Sequence, residues 1–202
     1  MASNSSSQPA IYFWRETSRY GYMSQWYYCP FTSDPAEAAA AGKKPVVFKT
    51  AEHYMMYSKA LLFSPSHCAA VLSAKHPRDV RTLGRQIPNF DEKVWNRHRN
   101  EIVRMGSYLK FTFPVATDED SSWYFEGKSL RDSLLETGDA ELVEASPYDR
   151  IWGVGFKPEN AAKNRRNWGL NLLGKALMDA RSKIKEEEQK KKTEEGKPEE
   201  EA

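Results

Sequence analysis

The chain has 202 residues and a formal net charge of +2, which suits one domain with ragged ends and announces neither a nucleic-acid nor a membrane partner. Its two cysteines, Cys29 and Cys68, make neither a disulfide framework nor a metal-ligand set. No apolar run approaches the ~20 residues of a membrane helix, and MASNSSSQPA holds no apolar signal core, so a soluble intracellular protein is expected, cytoplasmic or nuclear.

Residues 1–10 are Ser-rich and are expected to be disordered. AIYFWRE and KPVVFKT, rich in β-branched and aromatic residues, predict short strands. Between them Thr32–Pro45 predicts a loop with a helical turn in its Ala-rich part. Thr50 is a candidate N-cap for a helix over TAEHYMMYSKALLF. SPSHCAAVLSA predicts a short helix. NFDEKVWNRHRNEIVRMGSYLKF predicts a long one, capped by Asp91, with Val94, His98, Ile102, Met105 and Leu109 at helical spacing. Pro114–Gly127 is acidic and irregular. KSLRDSLLETGD predicts a helix closed near Gly138, and AELVEAS a strand. The two glycines of PYDRIWGVGF imply a tight backbone path. NWGLNLLGKALMDARSKI predicts the last helix, with Leu170, Leu173, Leu177 and Ile184 as its core stripe. From Lys185 the chain is all charge, without an apolar face, and predicts a disordered tail over 185–202 whose first turns can extend the helix. The domain is therefore placed at residues 11–184.

Glu52 and Lys59 are seven residues apart, nearly two helical turns, and so share a face with Met56 and Phe63. A carboxylate and an amine on an apolar stripe are costly unless paired or used; otherwise they reach solvent at the rim of an amphipathic helix. Asp149 precedes Trp152 in a Gly-rich turn, where it either caps the backbone or faces a ligand. Arg85 either grips a phosphate or covers a helix end. Asn171 is polar on an apolar helix, which a core hydrogen bond explains. There is no P-loop, no GxGxxG after a strand, no HExxH, no CxxC and no GxSxG, and the four histidines lack ligand spacing. No metal and no cofactor are expected. What remains is carboxylate and lysine chemistry in an aromatic pocket.

Taken in order, FW at Phe13, YGYMSQW, TAEHYMMYSKALLF, LGR at Leu83, VWNRHRNEIVRMGSYLKF, LVEASPYDRIWGVG and GLNLLGKALMDAR resemble the NADAR, or YbiA-like, family from about Phe13 to Arg181. The T-x-E-H pattern falls on Thr50–His53 with Lys59 after it, W-G-x-G on Trp152–Gly155 and G-x-N-x-L-G on Gly169–Gly174. The resemblance implies a single compact α+β domain, mostly helical with a few short strands. It implies an N-glycosidase. Some members cleave phosphoribosylamino-pyrimidine intermediates of riboflavin synthesis, and others remove ADP-ribose from modified guanine in nucleic acid.

On that resemblance Glu52, Lys59 and Asp149 are the expected catalytic residues, with Lys59 as nucleophile through a Schiff base. A direct attack by water, aided by Glu52 or Asp149, is the other route. Burial would lower the Lys59 pKa and a nearby carboxylate would raise it. The expected substrate contacts are Phe13, Trp14, Arg15, Ser24, Arg85, Trp95, Trp152, Gly153 and Asn171. The expected ligand contains ADP-ribose, carried on nucleic acid or a nucleotide. Clearance of ribosylamino-pyrimidine phosphates and non-catalytic binding of ADP-ribose are the alternatives. FKPENAAKNRRN, the Ala-rich segment near Ala38 and the acidic Pro114–Gly127 depart from the family pattern and bear on specificity.

Overall fold

A computed structural model of the protein describes residues 10–115 and 124–195. The N-terminal stretch before Ala10, the middle of the acidic segment and the chain beyond Glu195 lie outside the described residues. The domain is α+β, mostly helical, with three two-stranded sheets among the described residues. β1 (Ala10–Phe13) pairs in parallel with β6 (Glu141–Glu144), in a register that sets Phe13 beside Glu144. β2 (Phe31–Thr32) and β3 (Val47–Phe48) pair antiparallel, as do β4 (Tyr124–Phe125) and β5 (Lys128–Ser129). The helix α1 (Pro35–Ala40) fills the predicted helical turn, capped by Asp34, which accepts from the amides of Ala36 and Glu37.

Around the β1–β6 pair lie α2 (Ala51–Phe63), α3 (Cys68–Ser73), α4 (Pro77–Gln86), α5 (Glu92–Thr112), α6 (Leu130–Leu135), α7 (Pro158–Ala161) and α8 (Leu172–Glu195). α2 packs on α3, α4 and α5, and α8 packs on α5 and β6. The core runs through Phe13, Phe31, Phe48, Leu109, Phe111, Leu142, Leu177 and Ile184. The predicted caps act as caps: Thr50 Oγ1 accepts from the His53 amide, and Asp91 Oδ1 from Val94 at 2.9 Å.

Three sequence expectations change. His98 is exposed, and α5 buries Val103, Gly106 and Leu109 instead, because its first two turns project beyond the core. The last helix begins at Leu172, not Asn167. Asn171 is left-handed (φ 50°) and its amide serves the sheet: Oδ1 accepts from Glu144 N at 3.0 Å and Nδ2 donates to Leu142 O at 2.9 Å. Leu170 is therefore outside the stripe and 49% exposed. At its far end α8 continues to Glu195, so the first turns of the charged run extend the helix as the sequence allows. Tyr108 donates to Glu187 there, and Arg131 pairs with Glu188 at 3.0 Å.

The loop from Tyr20 to Trp26 is held from below by Lys110. This lysine is fully buried, and its Nζ donates to the carbonyls of Tyr22 (2.6 Å) and Ser24 (2.9 Å). Burial lowers its pKa. Lys110→Met should lower stability by roughly 2–4 kcal/mol, because two buried carbonyls lose their donor. Chemical denaturation would measure it, and an unchanged midpoint would remove Lys110 from this role.

Candidate active site

Both parallel strands end at the same place. Beyond β1 the chain gives Trp14 and Arg15; β6 ends on Glu144 and leads into the Ser146–Trp152 turn. A cleft of about 650 Å³ opens there, in the size range of small-molecule sites. Parallel strands commonly present ligands at their carboxyl ends. One wall is α2, with Glu52, Met56 and Lys59; another is α4, with Arg81 and Arg85; Ser24, Gln25 and Trp26 close a third side.

Of the expected residues, the cleft gathers Trp14, Arg15, Ser24, Glu52, Lys59, Arg85, Trp95, Asp149 and Trp152. Phe13 is a core residue, 1% exposed, because its alternation along β1 turns it inward. Gly153 is needed for close approach: a Cβ there would lie 2.6 Å from Glu144 O. Asn171 seals the edge of β6, as described above, and does not line the cleft. These three support the site without facing it.

Glu52 sits in the first turn of α2, 5% exposed. Burial pushes its pKa up to about 7, against the pull of Arg81 and a hydrogen bond from Trp26, with Asp149 adding to the rise. Its neighbour His53 is fully buried and structural. Ala74 O, 3.1 Å from Nε2, can only accept, so Nε2 carries the proton and Nδ1 faces Thr50 Oγ1 at 2.9 Å. His53 thus ties the start of α2 to the end of α3 and fixes where Glu52 points.

Lys59 lies two turns along. Its Nζ donates to Gly84 O at 2.6 Å and sits 4.1 Å from the Phe90 ring and 5.7 Å from that of Trp95. Burial alone lowers its pKa. Of the two opposing effects expected from sequence, only the lowering one operates, and no described carboxylate forms an ion pair with it. The aromatic faces and the carbonyl favour the ammonium form locally and so work against that lowering. Gly84 lets Met56 pack close to α4. A Cβ would fall 2.0 Å from the Met56 sulfur and press on the wall beside Lys59.

Asp149 Oδ1 accepts from the amides of Ile151 and Trp152, each at 2.8 Å, so one of its oxygens caps the turn. The residue also lines the cleft. Trp14 carries Arg15 over its ring at 4.5 Å and leans on Tyr148 at a centroid distance of 6.1 Å.

Sequence reasoning missed Glu144, Arg81, Trp26 and Tyr148. Arg81 had a signal: with Arg85 it stands four residues apart on one face of α4. Glu144 had a fainter one, a carboxylate ending a strand whose preceding residues, Leu142 and Val143, are both fully buried.

Residues 12–185 match the family model described as the NADAR domain. The chain belongs to the NADAR domain family. Among NADAR-related proteins, "N-glycosidase R617" of Acanthamoeba polyphaga mimivirus is 38% identical over 151 residues, 73% of this chain and 79% of that protein. "Riboflavin biosynthesis protein PYRR, chloroplastic" of Zea mays is 28% identical over 144 residues, 67% of this chain but 19% of that much longer protein. The NMR structure of Escherichia coli YbiA has the same fold, with a TM-score of 0.61 at 24% identity, covering 90% of this chain and 88% of that one. Among the described residues no group of side chains could hold a metal ion, and no helix is long and apolar enough to cross a membrane.

Proposed function

We propose that this NADAR protein is an N-glycosidase that hydrolyses a ribosyl C–N bond, removing ADP-ribose from ADP-ribosylated guanine in DNA or RNA. The observation that carries the reading is the joint presence in one cleft of a lysine with a lowered pKa and a buried carboxyl poised near neutrality. A binding module needs neither. Breaking the C–N bond leaves positive charge at the anomeric carbon and negative charge on the departing nitrogen, so a nucleophile and a proton relay are both required. Lys59 is the nucleophile, Glu52 the relay, and the second oxygen of Asp149 holds the ribose or the water. Trp95 and Trp152 flank the ligand. Arg15, Arg81 and Arg85 line the cleft with three guanidiniums, suited to a diphosphate.

The name carried by the maize relative favours a second reading, a ribosylamino-pyrimidine phosphate as substrate. The chemistry is the same and the leaving group differs. Incubating the protein with an oligonucleotide bearing ADP-ribosylated guanine should release ADP-ribose and restore the unmodified strand, read by chromatography. Borohydride added during turnover should trap the sugar on Lys59, located by peptide mass spectrometry. Release from the pyrimidine substrate alone would replace the first reading by the second. No release from either would end both.

A further inference from the structure

Glu144 has no structural reason to be a carboxylic acid. It ends β6 at the wall of the cleft, and among the described residues its Oε2 is shielded from solvent with no hydrogen-bond partner. Its backbone, by contrast, is fully engaged. The amide takes Asn171 Oδ1, the carbonyl takes the Val154 amide at 2.9 Å, and Gly153 packs so close that a Cβ would collide with that carbonyl. Three residues of the family motifs, Gly153, Val154 and Asn171, thus fix the main chain that carries a side chain left unsatisfied. A buried polar atom without a partner costs of order 1–3 kcal/mol. Such a cost at the wall of a cleft, on a main chain held this firmly, marks a group waiting for a ligand.

We propose that Glu144 is a second catalytic carboxyl, which shares a proton with Glu52 and delivers it to the nitrogen that leaves the ribose. The proposal rests on the hydrolytic reading above. Glu52 on α2 and Asp149 beyond β6 both act on Glu144 as like charges. The cations facing the same cleft are Lys59 on α2, Arg81 and Arg85 on α4, and Arg15 after β1, with Glu16 beside it. Arg81 pulls on Glu52, whereas no cation offsets the desolvation of Glu144. Burial first, then Asp149 and Glu52, push Glu144 up to about 8, above Glu52 at about 7. Carboxyls that repel each other in one cleft titrate as a pair, and burial together with that repulsion keeps a proton on the pair toward neutral pH.

The protons balance. Lys59 Nζ, neutral, forms a bond to the anomeric carbon; the C–N bond breaks; its electron pair stays on the departing nitrogen, which takes the Glu144 proton. The Glu52 carboxylate removes a proton from the alkylated Lys59 nitrogen. Ring opening to an imine is internal to the sugar and leaves this count unchanged. Water then forms its bond to the same carbon and gives a proton to Glu144, while Lys59 leaves and recovers its proton from Glu52. The sum is one water added across the C–N bond, with all three groups restored.

The test is Glu144→Gln, which keeps shape but has no acid to give. It should lower kcat roughly 10²–10⁴-fold with KM little changed, and abolish the fall in rate as pH rises through about 8. Glu144→Asp, which keeps the acid, should retain that alkaline limb at reduced kcat. A carboxyl ¹³C NMR titration of the wild-type protein reads the proton sharing without turnover: Glu144 should titrate well above ordinary glutamates, and Glu52→Gln should bring it down. A Glu144→Gln protein with wild-type kcat and an intact alkaline limb would overturn the assignment while leaving the hydrolytic reading standing. A Glu144 that titrates normally and ignores Glu52→Gln would overturn it as well. Loss of turnover in the wild type on every substrate would defeat the hydrolytic reading and the delivery step with it, and the titration would still decide whether the two carboxyls share a proton.

Discussion

Replacing Lys59 by arginine is expected to lower kcat/KM by roughly 10⁴-fold or more, with ligand affinity changed far less. Arginine keeps the positive charge, and its stem packs beside Phe90 and Trp95 as the lysine does, but a guanidinium stays protonated and cannot attack carbon. The substitution therefore separates two roles that alanine would confound. If Lys59 only holds phosphate or stabilises charge, arginine should preserve much of the rate. If it is the nucleophile, arginine should be as inactive as methionine. The surroundings favour the nucleophile. Nζ has one hydrogen bond, to Gly84 O, no carboxylate partner among the described residues, and a pKa lowered by burial alone. A lowered amine pKa leaves a larger neutral fraction at working pH, so the wild-type rate should climb with pH through the acid side. Steady-state kinetics from pH 5 to 9, with a thermal shift on ADP-ribose to confirm binding, decides the matter. A Lys59→Arg protein within tenfold of wild type would remove the covalent route and leave water activated by a carboxylate.

The helix that carries this lysine was legible because its signals are local. Thr50 caps it, the apolar residues repeat at helical spacing, and the seven-residue offset of Glu52 and Lys59 fixes their common face. The signals that failed are those that depend on contacts distant in sequence. Asn171 reads as a helix interior because its neighbours are helix formers, yet its amide is committed to Leu142 and Glu144, nearly thirty residues upstream, and that commitment accompanies the left-handed turn. Leu170 then falls outside the apolar stripe for the same reason. Glu144 escaped notice because a strand of four residues offers too short a period to say which end residue faces a cleft. Asp149 reads from sequence as a turn cap or a ligand contact, and the structure shows the cap, with Oδ1 holding the turn in a residue that also lines the cleft.

Glu52→Gln should inactivate the enzyme and stabilise the fold at once. As proton relay, its loss should cost roughly 10²–10⁴-fold in kcat. The stability effect follows from linkage. Its pKa is about 7 in the folded protein and near the ordinary 4.5 in the unfolded chain. Between those values the folded state binds more protons, so stability falls as pH rises from about 4.5 to about 7 and is flat above. The full penalty at pH 8 is roughly 3 kcal/mol, and glutamine, which never ionises and still accepts from Trp26, avoids it. Tm at pH 8 should therefore rise by roughly 5–10 °C, while at pH 4.5 the two proteins should melt together. A second consequence ties the carboxyls to each other. Removing the Glu52 charge relieves Glu144, whose own raised pKa imposes a penalty of the same sign up to about pH 8. Glu52→Gln and Glu144→Gln should then stabilise less together than the sum of the single changes, because each already takes part of the other's penalty away. Strict additivity in that cycle would mean that the two carboxyls do not sense each other. A Glu52→Gln protein less stable than wild type at pH 8 would make Glu52 a structural residue. An inactive, stabilised protein with a coupled partner is the signature of a site that gives up folding free energy to keep two acids near neutrality.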